Sequence, residues 1–168
     1  MRLSLGNVAL SESELKSTLT ELKNEKCLWQ DLNQSSVIKS MVEHIGSTDS
    51  ELRDQLIYST FYRLIVENNQ IETKVLTELL DTCINELLFK GIGEKETDTV
   101  FTRSFTTLLI SLILYKDNQV NFLSKVSIDD IKEKLMKYIE YKMIYEAMLV
   151  ERDGHTVLPT QLTLLMSW

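Results

Sequence analysis

Proline is all but missing from this chain: the single one, Pro159, sits nine residues before the last, and the stretch from Ser11 to Arg152 has none. Only five glycines are spread over 168 residues. A turn-rich β architecture needs both residue types at its corners, so their scarcity points to long helices. Cysteine is equally thin. Cys27 and Cys83 are far apart and in no CxxC pairing, which excludes a disulfide framework and a zinc knuckle and fits reduced buried thiols. Positive charge is in deficit: the net charge is −7, and a domain of that sign repels a phosphate backbone, so nucleic acid is not expected as a partner. No long apolar run exists either. The most apolar one, "LLISLILY" from Leu108 to Tyr115, is far too short to span a bilayer, so no membrane partner is expected. The start, "MRLSLGNVALSES", holds no sustained apolar stretch, which argues against a signal peptide and for a cytoplasmic protein.

What is present is helical periodicity. Ser11 with Glu14 three residues on makes a capping box for a first helix over about 12–26, with Leu15, Leu19 and Leu22 in phase. "LWQDLNQ" (28–34) is a connector anchored by Trp29. A second helix carries Val37, Ile38, Met41, Val42 and Ile45 on one face, and Gly46 is expected to stop it. Asp49 or Ser50 caps a third helix with the stripe Leu52, Leu56, Phe61, Leu64 and Ile65, ended by Asn68-Asn69. A fourth runs over 71–91. A fifth over 99–118 is apolar nearly all round at its centre and is expected to be the most buried. Ser127 is expected to cap the last, over 128–151. No strand-like alternation occurs, so the fold class is all-α.

A shift of 49 residues lays "LIVENNQI" (64–71) on "ILYKDNQV" (113–120) and pairs Leu52 with Phe101, Leu56 with Phe105 and Phe61 with Ile110. Either this echo marks stacked helix pairs of the HEAT or armadillo kind, or two amphipathic helices end in similar turns.

No catalytic constellation stands out: no glycine-rich phosphate loop, HExxH, GxSxG or Cys-His pairing. Catalytic residues and metal ligands are therefore assigned to none, and no cofactor is expected. His44 follows Glu43 at a helix end, where a cation complements the dipole. The acidic pairs Glu51/Asp54 and Asp129/Glu133 are interleaved with lysine or arginine and read as solvated faces. Arg53 and Arg103 each lie early in a long helix, and Arg103 interrupts a mostly apolar run; both read as buried structural pairs or as ligand contacts in a groove. Tyr138, Tyr141 and Tyr145, three and four apart, either cover the edge of the core or line a groove. The ligand-binding candidates are thus Arg53, Arg103, Tyr141 and Tyr145.

The last residues break the pattern. "DGHTVLPTQLTLLMSW" (153–168) has no charge after Asp153 and contains the lone proline. The chain accordingly divides into a helical-repeat domain, 1–152, and an atypical tail, 153–168. Back-translated and read from the third base of the Asp153 codon, the tail can spell W-A-H-S-V-A-H-T-A-D-A-F-D-E-L, which is amphipathic and helix-compatible. That string resembles the Gly-Trp-Ala-His-Ser-x-x-His-x-Ala-Asp signature of an uncharacterised bacterial family, domain of unknown function 2785. In frame, "LRDQLIYSTFYRLI" (52–65), "VFTRSFTTLLISLILYKDN" (100–118) and the helix running into "VERD" (150–153) resemble that family's N-terminal half. The family's short Arg-Gly segment after "ERD" is missing here, and one deletion not divisible by three accounts for both that loss and the changed frame.

The resemblance implies an α/α superhelix of helix pairs with no established activity. In the family the two histidines and the aspartate of the signature fall at i, i+4 and i+7 on one helix face, where a metal or polar ligand could sit. This chain encodes none of the three, and His155 does not replace them. The reading that follows is a truncated, non-catalytic binding or scaffold module for a protein or small-molecule ligand. The alternative is the inactive N-terminal portion of a metal-dependent hydrolase-like enzyme. A helical nucleic-acid glycosylase is disfavoured by the acidic charge. The last helix and "LTLLM" (162–166) are expected to be covered in a homodimer, or the tail to fold back over the same surface.

Overall fold

The computed structural model describes residues 8–94 and 97–152, with side chains through residue 144. Every element among them is helical, as the periodicity requires. Helix α1 (Glu12–Lys23) starts at the Ser11–Glu14 capping box and buries Leu15 and Leu19. It ends earlier than expected, where Glu25 turns to φ 57°. The connector contains one tight 3-10 turn, Trp29–Asp31, with Trp29 buried. Helix α2 (Gln34–Glu43) is capped by the Asn33 side chain, which accepts from the Ser36 N–H.

Helix α3 (residues 51–67) begins where Asp49 Oδ1 accepts the Glu51 and Leu52 N–H groups at 3.0 and 3.2 Å, which decides the cap in favour of Asp49. Its first and last stretches, Glu51–Tyr58 and Arg63–Glu67, take the wider i→i+5 bonding pattern around a regular turn, Ser59–Tyr62. Helix α4 (residues 73–87) also closes on an i→i+5 bond, Leu88 N–H to the Cys83 carbonyl. Helices α5 (Thr99–Val120) and α6 (Lys125–Arg152) complete the order.

The core is one contiguous cluster. Leu15 and Leu19 of α1 meet Met41 and Ile45 of α2, Leu52, Ile57, Phe61 and Ile65 of α3, Leu76 and Leu79 of α4, and Leu109 and Ile113 of α5. Helix α3 packs against both α1 and α5 and is the central element. The expectation that α5 would be the most buried is corrected: Leu108 and Tyr115 are 39% and 51% exposed. A helix apolar all round still shows one side to solvent when neighbours lie on the other only.

Three further expectations change. Gly46 does not stop α2 by adopting a left-handed turn; α2 ends at His44, and Gly46 brings the loop against helix α5. A Cβ at Gly46 would lie 2.7 and 2.8 Å from the backbone N and Cα of Thr102. Helix α5 runs past Asn118 to Val120 and stops at Asn121, φ 49°. The echoed segments therefore end differently, since 64–71 leaves the helix at Asn68-Asn69 while 113–120 stays within it. Ser124, not Ser127, caps α6: its Oγ accepts the Ser127 N–H at 3.1 Å. The displacement has a cause in Asp117, which is buried and accepts the Phe122 and Leu123 N–H groups at 2.8 Å each, pulling the turn tight.

One polar stripe lies outside the apolar pattern. On α2 and its end, Ser36, Ser40 and His44 recur every four residues. Ser36 Oγ donates to the Val8 carbonyl at 2.8 Å, Ser40 Oγ accepts the Leu10 N–H at 2.8 Å, and His44 Nε2 sits 3.2 Å from the Leu10 carbonyl oxygen. Residues 8–10 are strapped to the helix by this ladder.

One turn into α1, Lys16 reaches the start of α3, with its Nζ 2.5 Å from Asp49 and 2.8 Å from Glu51. The Lys16 hydrogen bond holds the Asp49 carboxyl below its ordinary value of 3.8, and its two acidic partners raise Lys16. A carboxylate depressed by folding contributes stability above its unfolded pKa and loses it as pH falls through the folded one. The urea midpoint is therefore expected to fall below about pH 4, and Lys16→Met to flatten that fall. Denaturation curves from pH 6 to pH 3 check this; parallel profiles for the two proteins would refute it.

Candidate functional site

The arginines singled out in the sequence are both engaged within the protein. Arg53 is buried, and its guanidinium lies 4.3 Å from the Phe101 ring centroid and 5.1 Å from that of Phe105, one turn apart on α5. Its Nη1 donates to the Ser47 carbonyl at 2.9 Å and its Nε to Asp54 Oδ1 at 2.7 Å. Stacked cation and aromatic faces, with an in-plane carbonyl and carboxylate, use the geometry that distinguishes arginine from lysine. Arg103 Nη1 donates to the carbonyls of Lys90 and Gly91, at 2.7 and 2.9 Å, and to Thr99 Oγ1. It satisfies carbonyl groups beyond the end of α4 that no helical N–H reaches.

Tyr141 stands edge-on to Phe89 with centroids 6.3 Å apart, Tyr138 does the same at 6.1 Å, and Lys137 lies 6.0 Å over the Tyr141 ring. The Tyr145 side chain falls outside the described ones, as does the whole tail, 153–168. None of Arg53, Arg103 and Tyr141 is among the residues that line the concavity between the α1–α2 connector and α3.

Helix α6 touches the domain along a narrow strip, Ile131, Leu135 and Tyr138, with Lys134 Nζ donating to Asn85 Oδ1 at 2.6 Å. Its apolar arc is wider than that strip. Met136 and Ile139 are 59% and 46% exposed, and Met143 continues their row at helical spacing. Ile144 is exposed on a different side.

A concavity of about 350 Å³ opens elsewhere, between the connector and α3. Leu22, Leu28, Trp29 and Leu64 supply its apolar walls; Arg63, Glu25, Cys27, Asn68 and Gln70 supply its polar and reactive groups. Among the described residues no carboxylate pairs with the Arg63 guanidinium. Trp29 is buried, and its indole N–H has no acceptor there. Arg63 opens the final i→i+5 segment of α3, and Asn68 N–H returns to its carbonyl at 2.8 Å. Such wide turns recur at functional sites.

This site was not legible in the sequence. Trp29 reads there as an anchor, Cys27 as a bland thiol, and Arg63 as one charge on an amphipathic helix. The two thiols differ sharply. Cys83 is sealed in the core and burial pushes its thiol up to about 12, whereas Cys27 is partly exposed on the concavity. Among the described residues no cluster of His, Cys, Asp and Glu can hold a metal ion, and no helix is long and apolar enough to cross a membrane.

No curated protein and no solved structure matches the chain. The resemblance read from Val100 to Asn118 does find its counterpart: residues 88–143, from the end of α4 through α5 into α6, match the model of the family described as "Protein of unknown function (DUF2785)".

Proposed function

We propose that this protein is a non-catalytic binding or scaffold module, built as an α/α superhelix in the HEAT or armadillo manner, that docks a second copy of itself through α6. The exposed pair Met136 and Ile139, continued by the half-buried Met143 and lying beside the covered strip Ile131, Leu135 and Tyr138, is the observation that carries the reading. A helix whose apolar arc exceeds what its own domain covers leaves a face that another surface can bury. A second copy suits it because charges of both signs, Lys132, Glu133, Lys137 and Glu140, are exposed around the row, so a two-fold pairing can set opposite charges against each other. Two free thiols support a cytoplasmic setting. Residues 153–168 remain, on this reading, a stretch out of frame with its family, and the DNA sequence across codons 150–168 tests that directly.

Light scattering at micromolar concentration is expected to return a dimer. The double variant Met136→Lys/Ile139→Lys should be monomeric with unchanged helical circular dichroism. A monomeric wild type, or a dimer indifferent to the two lysines, would refute docking through α6.

A further inference from the structure

We propose that the concavity between the α1–α2 connector and α3 is a binding site for a small monocarboxylic acid with a planar apolar body, anchored by Arg63. Its volume of about 350 Å³ lies near the lower end of the range for small-molecule sites. The lining is mixed, with apolar walls from Leu22, Leu28, Leu64 and Trp29 and a larger number of polar groups, Arg63 and Glu25 among them. One of those groups lacks what a ligand would bring. Arg63 has no carboxylate partner among the described residues, although its planar fork matches a carboxylate.

Charge narrows the class. Glu25 lines the same concavity and the chain carries −7 overall, so a single negative charge is tolerated where a phosphate dianion is repelled. Leu28, 54% exposed beside the buried Trp29, gives the apolar body a surface to cover at the mouth. This site is separate from the α6 face, and neither reading depends on the other.

Phenylacetate, a carboxylate one methylene from a planar ring, is the test compound. Trp168→Phe leaves Trp29 as the only tryptophan, so its fluorescence reports the site. Cys27 gives a second signal, because the buried Cys83 does not compete for iodoacetamide. Phenylacetate is expected to change Trp29 fluorescence saturably and to slow Cys27 alkylation. Neutral phenylacetamide should bind about ten-fold more weakly or worse, and Arg63→Met should weaken phenylacetate by the same factor, the scale of one lost charge-assisted hydrogen bond. Non-saturable fluorescence, equal binding of acid and amide, or equal protection by inorganic phosphate would each overturn the assignment. The acid–amide comparison uses the unsubstituted Arg63 and holds even if Arg63→Met fails to fold.

Discussion

Gly46→Ala is expected to lower stability by about 3 kcal/mol and Gly46→Val by more than about 4 kcal/mol, a large share of what a domain of this size possesses. The reason is a close approach of backbone to backbone. An added Cβ meets the N and Cα of Thr102 at 2.7 and 2.8 Å. Those atoms belong to α5, whose next turns bury Thr106, Leu109 and Ile110. A flexible side chain could swing aside, but a helix backbone fixed by its own hydrogen bonds cannot, so the strain falls on the α2–α3 loop. Thr102→Ala should recover only part of the loss, because it removes the hydroxyl and leaves the backbone contacts. Urea midpoints of the wild type and these variants decide the matter. Tolerance of alanine within about 0.5 kcal/mol would mean that Gly46 is merely a loop residue.

Arg53→Met should cost about 3 kcal/mol. The Asp54 carboxylate is half exposed and contributes little, as exposed ion pairs do. The larger losses are the bond to the Ser47 carbonyl and the stacking on Phe101 and Phe105, together worth a few kcal/mol for a desolvated guanidinium. Arg53→Lys keeps the charge but neither the plane nor the fork, and about 2 kcal/mol of the loss should remain. Chemical denaturation of both variants measures this. A lysine variant as stable as wild type would show that only charge matters there.

The contrast between these residues shows what a sequence carries. Helix positions follow from apolar spacing, because burying one face is a local periodic requirement. The Ser11–Glu14 box is legible for the same reason, since donor and acceptor stand within three residues, whereas the third helix leaves Asp49 and Ser50 both open until the Asp49 bonds settle it. The start of α6 is not. Ser127 reads as the cap, and the earlier start at Ser124 falls to Asp117, which bonds the N–H groups of residues 122 and 123 from inside the preceding helix. Gly46 reads as a helix stop because its real constraint, Thr102, lies 56 positions away. Tyr138 and Tyr141 find Phe89 across a similar gap. The concavity is hidden on the same grounds. Arg63 and Trp29 come from different elements, and the feature that marks them, missing partners, has no local trace.

Helix α2 has an unusual debt to the strap at residues 8–10. Serine is a weak helix former, and inside α2 both Ser36 and Ser40 are buried. Were the strap to peel away, the Leu10 N–H and the Val8 and Leu10 carbonyls would return to water, while the Ser36 hydroxyl lost its acceptor and the Ser40 hydroxyl, still donating to the Ser36 carbonyl, lost its donor. Opening of the strap and fraying of α2 should consequently be one event. In amide exchange, the protons of α2 would be released together with that of Leu10, as a single cooperative unit separate from the α3–α5 centre.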